Sequence, residues 1–296
     1  MLFLSFLCGV GSYNPSNWRP PRAFLRRRSI LATPSLVLYP QACNAAADTL
    51  RDILAARDAS LLRKTFLNIP PAQQEFPPWL EGTWTCTEDF AGFEFPSKKV
   101  PKENIIAQTL PGFVKLSIAR FADIGRKNTN YNMTFFKDKS KKIREDYTHN
   151  LSSSISAHTD GKELVETVDY DPTKNPNRMT LKLRAGSRNG ERLEIFVNSR
   201  RSEILKEDIF LSTELIRQVT LGNPTLQEPL VPRMIVGEYQ HFWTYRKTEI
   251  NGVIGFRANC LTAVYADAQS NAAVFNEVVG DPVIVYSHNI LGTKNN

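Results

Sequence analysis

Over most of the chain, apolar and polar residues alternate with a period of two, the spacing of a half-buried β-strand. Val114, Leu116 and Ile118 alternate with Lys115 and Ser117, and similar runs recur from Gly82 to Asn289. The pattern predicts strands over 82–90, 113–122, 131–137, 143–148, 163–170, 179–183, 191–197, 203–209, 236–247, 256–265 and 283–289. Turn chemistry separates them: Pro111-Gly112, Asp160-Gly161, Asn189-Gly190, Asn251-Gly252 and Gly280-Asp281-Pro282. Asn189-Gly190 between strand-like runs is a hairpin signal.

A helical period appears twice. Leu50, Ile53 and Leu54, then Leu61, Leu62 and Phe66, form one apolar stripe, so an amphipathic helix of about twenty residues is expected before Pro70-Pro71. Arg51 and Arg57 are balanced by Asp48, Asp52 and Asp58, which favours packing on the following domain over lying on a membrane surface. A second, short helix is predicted after a Ser212 or Thr213 cap, with Leu215, Ile216 and Val219 before Gly222-Asn223-Pro224. About ten strands joined mostly by short turns call for closure, which removes exposed edges. The expected fold is therefore mainly β: a ten-stranded antiparallel up-and-down barrel over 77–292, after a helix and Pro-rich linker over 48–76. A disordered tail over 293–296 would follow.

The first 47 residues read differently. They hold no acid but five arginines, Arg19, Arg22, Arg26, Arg27 and Arg28. An acid-poor, Arg-bearing leader is the composition of an organelle transit peptide. Arg26-Arg27-Arg28, a short apolar stretch and Ala45-Ala46-Ala47 then follow the twin-arginine export pattern, with processing at Ala45, Ala47 and Asp48. The two stages together resemble the bipartite leader of thylakoid-lumen proteins, so a plastid lumen is the expected location. The apolar start Leu2–Leu7 reads alternatively as a first signal for a three-stage route. Nowhere do eighteen apolar residues run uninterrupted, so no membrane-spanning helix is expected. The formal charge of +7 falls to +2 once the five leader arginines go and no acid goes with them, which removes the case for nucleic acid.

Trp79-Leu80-Glu81-Gly82-Thr83-Trp84 resembles the Gly-x-Trp start of calycin barrels such as lipocalins and fatty-acid-binding proteins. That resemblance implies that Gly82 allows a tight strand entry and that Trp84 plugs one barrel end. A longer resemblance, from about Pro77 to Leu291, is to an uncharacterised domain family shared by cyanobacteria and plastids. It is carried by Asn175–Thr180, Arg200–Glu203, Ser212–Val219, Thr262–Tyr265 and Gly280–Val283 running into Val285-Tyr286. The chain departs from that family at Glu94–Leu110, read as a flexible loop, and at Glu145-Asp146-Tyr147, where an Asp-Arg pair is expected. The family implies no activity.

Candidate chemistry is sparse. His149, His158, His241 and His288 show no zinc-site spacing, and neither a phosphate-cradling loop nor a nucleophile elbow is found. No cofactor, metal or catalytic residue is expected, and whether the protein is an enzyme stays open. Arg178, Arg201, Glu203, Glu214, Arg217 and Glu238 form the candidate polar set. They read either as ion pairs closing one barrel end or as a site for an anionic head group, with Arg201 or Arg217 as bidentate donor. Cys86 and Cys260, on the first and penultimate strands expected, read either as a bridge or as two buried thiols. His241 beside Glu238 is an arrangement that can sense acid. Two functions are expected: carriage of a small lipophilic or amphipathic molecule in an apolar barrel interior, or docking on a photosynthetic thylakoid membrane complex through Glu94–Leu110 and the N-terminal helix. A filled interior would exclude the first as stated.

Overall fold

The computed structural model describes residues 49–64, 71–108, 110–184, 192–222, 234–250, 252–269 and 272–295. The chain divides into 1–44 and 45–296, and all described residues belong to the second unit. The leader, the processing residues Ala45, Ala47 and Asp48, and the Asn189-Gly190 turn lie outside the described residues.

Ten antiparallel strands form one sheet: β1 (Gly82–Glu94), β2 (Thr129–Lys137), β3 (Ile143–Glu145), β4 (Val165–Asp169) and β5 (Arg178–Leu183), then β6 (Arg192–Lys206), β7 (Ile209–Leu221), β8 (Met234–Ile250), β9 (Val253–Tyr265) and β10 (Pro282–Lys294). Their order is β3-β2-β1-β10-β9-β8-β7-β6-β5-β4, an up-and-down path in which the first strand pairs with the last. The sheet curls into a half-barrel, and its two edges, β3 and β4, do not pair. Strand closure is thus absent between them. Helix α3 (Tyr147–His158) occupies the gap, packing against both β2 and β4.

Helix α3 was not legible as apolar periodicity because half of its buried stripe is polar. Tyr147, Leu151 and Ile155 are buried, and so are Asn150, Ser154 and His158. Asp146 caps it, accepting from His149 N at 3.0 Å. The polar stripe covers the free edge of β2: Asn150 Oδ1 accepts from Thr134 N at 2.7 Å, and Ser153 Oγ accepts from Asn132 N at 3.0 Å. Asn150 Nδ2 also donates to Thr134 O at 3.2 Å. Amide and hydroxyl side chains therefore take the place of a neighbouring strand, which an exposed edge would otherwise recruit from another chain.

Four further expectations are corrected. Residues 212–221 are not a helix but the second half of β7. Phe210, Ile216 and Gln218 are buried on its inner face and Leu211, Thr213 and Leu215 on its outer face. Burial on both faces erases the alternation that marks a strand. The N-terminal helix is only α1 (Leu50–Ala55); Arg57 at φ 52° breaks it before a 3-10 turn at Ala59–Leu61. These pieces pack on the outer face of the sheet, where Leu50, Leu62, Leu211, Phe242 and Val285 make a second core. Glu94–Leu110 is a secured segment rather than a free loop: it carries α2 (Lys102–Ile106), and Val100, Ile105 and Leu110 are buried. At the other end, β10 runs through Lys294, past the end expected at 292.

The largest departure is at 113–122. It is not a strand but a run of turns, with Leu116 in the left-handed region at φ 61°. Leu116, Ile118, Ala119, Arg120, Phe121 and Ala122 are all buried within the main core. The segment enters the barrel mouth at Pro111-Gly112 and leaves it at Ile124-Gly125, so the chain fills its own barrel. Gly112, at φ +98°, lies under the Tyr286 ring, where a Cβ would come within 2.3 Å of Tyr286 Oη.

Candidate functional site

The six polar residues singled out in the sequence do not converge. A bulge between Val197 and Ser199 explains the split: it turns Arg200 inward opposite Glu214 and leaves Arg201 outward opposite Thr213. On the outer face, Glu203 accepts from Leu50 N at 2.7 Å and Arg51 N at 3.2 Å, so it anchors the start of α1. Arg201 lies 3.7 Å from the same carboxylate. Arg217 pairs with Glu238 at 3.6 Å, and Glu238 also pairs with Lys64. These are ties that hold the N-terminal segment to the outer face of the sheet. Arg178 belongs elsewhere, donating to Glu194 Oε2 through Nε and Nη2 at 3.1 and 3.0 Å.

Only Glu214 points into the barrel. It accepts from Arg200 Nε at 2.7 Å and from Tyr147 Oη at 3.0 Å. Burial holds the Tyr147 phenol well above its ordinary range, so it stays a neutral donor.

The interior polar groups that matter were otherwise missed. Arg120, carried in by the plug segment, pairs with Glu145 of β3, which also accepts from Asn150 Nδ2 at 3.1 Å. Burial opposes the charged guanidinium, but Glu145 outweighs it and holds the pKa of Arg120 above its ordinary value. Further along, Glu88 of β1 accepts from Tyr131 Oη at 2.8 Å and lies 3.0 Å from His158 Nε2. His158 Nδ1 lies 2.9 Å from the Ser154 carbonyl. Both ring nitrogens thus face acceptors, which only the imidazolium satisfies. Burial works against that charge, yet the hydrogen bond and charge of Glu88 prevail and the His158 pKa is raised.

His241 and His288 show the opposite balance. Burial drives both pKa values down, His241 well below 6.5 and His288 to about 4, so both are neutral at pH 7. His241 Nδ1 meets Thr262 Oγ1 at 2.9 Å, while His241 Nε2 and His288 Nδ1 have no partner. Phe121 stacks on His288 with centroids 4.1 Å apart and planes 5° apart. A scatter of four histidines did not reveal that three would meet inside; only alternation parity on β8 and β10, with the polar stripe of α3, would have shown it.

Cys86 and Cys260 are buried free thiols, and the bridge is not formed. β10 lies between their strands, with Cys86 opposite Gly292 and Cys260 opposite His288. Two strand spacings alone are about 10 Å, beyond the roughly 7 Å Cα limit of a disulfide. Burial also pushes both thiols up, which keeps them un-ionised. Among the described residues, no group of three or more His, Cys, Asp or Glu is placed to hold a metal ion.

Cavities follow from the plug. The interior space beside Arg120, Tyr147, Glu214 and His241 is about 20 Å³, room for one water. At the mouth, an open apolar pocket of about 210 Å³ is lined by Phe90, Phe93, Gly112, Phe113, Ile124, Gly125, Ile284 and Tyr286. Phe93 and Phe113 are 59% and 43% exposed. Neighbouring charges are tied to one another, Lys115 to Asp123 at 3.2 Å and Arg126 to Asp160 at 2.6 Å, so the rim offers little net charge. A third space, a groove of about 400 Å³, lies between the N-terminal segment and the outer sheet face, lined by Ile53, Leu54, Leu62, Thr244, Asn259 and Leu261 among others.

Gly82 and Trp84 lie at the start of β1. Gly82 sits at φ +125°, where a Cβ would meet the Lys294 side chain at 2.9 Å. Trp84 is fully buried at the end of the barrel where β1 begins.

Residues 69–291 match a domain of unknown function (DUF6816), and the chain belongs to that family. No curated protein and no solved structure matches it.

Proposed function

We propose that this DUF6816 protein is a non-catalytic binding module of calycin-like descent, working in the thylakoid lumen, whose site is the rim pocket rather than the barrel interior. The single observation that carries the reading is the aromatic pocket left open at the mouth while the interior is filled by 110–122. Its size limits the ligand. A cavity of about 150 Å³ holds benzene, and whole drug-sized ligands need about 300–1,000 Å³. About 210 Å³ therefore accepts one ring or a branched chain end of a lipophilic or amphipathic molecule, with the remainder outside. The neutralised surroundings suit an uncharged group better than an anionic one.

A fluorescent apolar probe such as an anilinonaphthalene dye should bind the full chain, and Phe113→Asp should weaken binding at least tenfold with little change in thermal midpoint. Unchanged binding would remove the rim pocket from the account. The groove beneath the N-terminal segment favours a second reading, docking on a thylakoid membrane complex. That reading expects the protein to migrate with such a complex on a native gel, and expects Phe113→Asp to leave the migration unchanged.

A further inference from the structure

We propose that the segment Leu110–Ala122 is an acid-released plug, seated inside the barrel at neutral pH and expelled as His241 and His288 take up protons. The segment has no ladder of its own, so it can leave without breaking the sheet. Ala119 N donates to Gln218 Oε1 at 3.0 Å, and Gln218 Nε2 donates to Leu116 O. Tyr286 Oη donates to Pro111 O at 3.2 Å, and Ser154 Oγ donates to Arg120 O at 2.5 Å. With the Arg120–Glu145 pair, these few side-chain bonds hold it. Burial of Leu116, Ile118, Ala119 and Phe121 adds to them, but the segment lacks the ladder that ties each strand to its neighbours, so it can open as a unit separate from the sheet.

The contact that responds to acid is Phe121. Its ring stacks on His288, lies edge-on to His241 with centroids 5.4 Å apart, and shuts both imidazoles away from water. His241 Nε2 and His288 Nδ1, both buried and unpartnered, have no acceptor in the closed state to hold a proton. Other groups facing this box set the sign. Glu88 of β1 and Tyr131 of β2 are committed to one another and to His158 of α3, whose pKa Glu88 raises rather than lowers. Arg120 stays charged against Glu145 of β3. Cys86 of β1, Cys260 of β9, and Tyr239 and Tyr245 of β8 have pKa values raised by burial and remain neutral. Glu214 of β7, opposite His241, is committed to Arg200 and Tyr147. His241 and His288, whose pKa values burial lowers in the closed state, each gain a proton in the open state first.

Linkage fixes the direction. With both pKa values lower in the closed state, opening takes up protons, and acid favours it by as much as tenfold per pH unit per histidine below 6.5. Gly112 and Phe113 at one end of the plug, and Ile124 and Gly125 at the other, also line the rim pocket. A ligand seated there would hold both ends, so pocket and plug are coupled, although plug release does not depend on the pocket having a ligand.

Hydrogen–deuterium exchange of the full chain, followed by mass spectrometry and corrected for intrinsic rates, tests this at pH 7.5, 6.0 and 5.0. Peptides covering Leu116–Ala122 should lose protection at least tenfold by pH 5.0, while peptides within Tyr239–Tyr265 keep theirs. Unchanged protection, or loss in one step with β8 and β9, would overturn the proposal. His288→Gln, which cannot titrate, should cut the slope of log protection against pH by about half, and an unaltered slope would also overturn it. If that variant does not fold, the wild-type pattern alone decides.

Discussion

Replacing Arg120 with Met is expected to lower the unfolding free energy by about 3–5 kcal/mol, a large share of the roughly 5–15 kcal/mol available to a folded domain. Methionine keeps much of the side-chain length, so the loss is electrostatic rather than steric. Glu145 would remain buried with Asn150 as its side-chain donor. An uncompensated buried carboxylate is far costlier than the intact pair is stabilising. The double change Arg120→Met with Glu145→Met should therefore recover more than half of the loss, since both charges then go together. Urea midpoints of the four proteins measure this directly. A single-variant cost below about 1 kcal/mol would mean that the pair is solvated, as in exposed ion pairs.

Trp84→Ala is expected to cost about 3–5 kcal/mol through the cavity it leaves. The ring is fully buried, packs edge-on to Phe256 at 5.1 Å and carries Lys294 Nζ 5.6 Å above it. Its Nε1 donates to Leu80 O at 2.8 Å. Trp84→Phe should cost markedly less, because it keeps most of the ring contact and gives up one hydrogen bond of about 1 kcal/mol. Thermal denaturation of both variants gives the ranking, and an equal loss in the two would place the stability in the Leu80 bond instead of the packing.

These two positions also show what the sequence could and could not reveal. Trp84 was legible because Gly82-Thr83-Trp84 is a local signal: a left-handed glycine and a buried indole lie within three residues. Most of the strands were legible for the same reason, since alternation is written residue by residue. Arg120 was not, because its partner Glu145 and its neighbour Ser154 come from elements 25 and 34 residues away. The plug itself reads as a strand, since Leu116 and Ile118 alternate with polar neighbours as a strand's residues do. Only a filled barrel distinguishes the two. β7 was obscured by burial on both faces, and α3 by a buried stripe made of Asn150, Ser154 and His158. The candidate set of arginines and glutamates does not form one site because a bulge near Asn198 reverses the alternation, turning Arg201 and Glu203 outward while Glu214 faces inward, and no composition rule marks a bulge.

The interior of the half-barrel is occupied by the chain's own segment 110–122. Cys86 and Cys260 report on it, because both lie in the main core beneath the plug. In the full chain carrying Cys8→Ser and Cys43→Ser, these two are the remaining cysteines. A chromogenic disulfide reagent at pH 7.5, without reductant, should find no reactive thiol in the folded protein and two after denaturation. Rapid reaction of either thiol while the strands stay folded would contradict a filled interior.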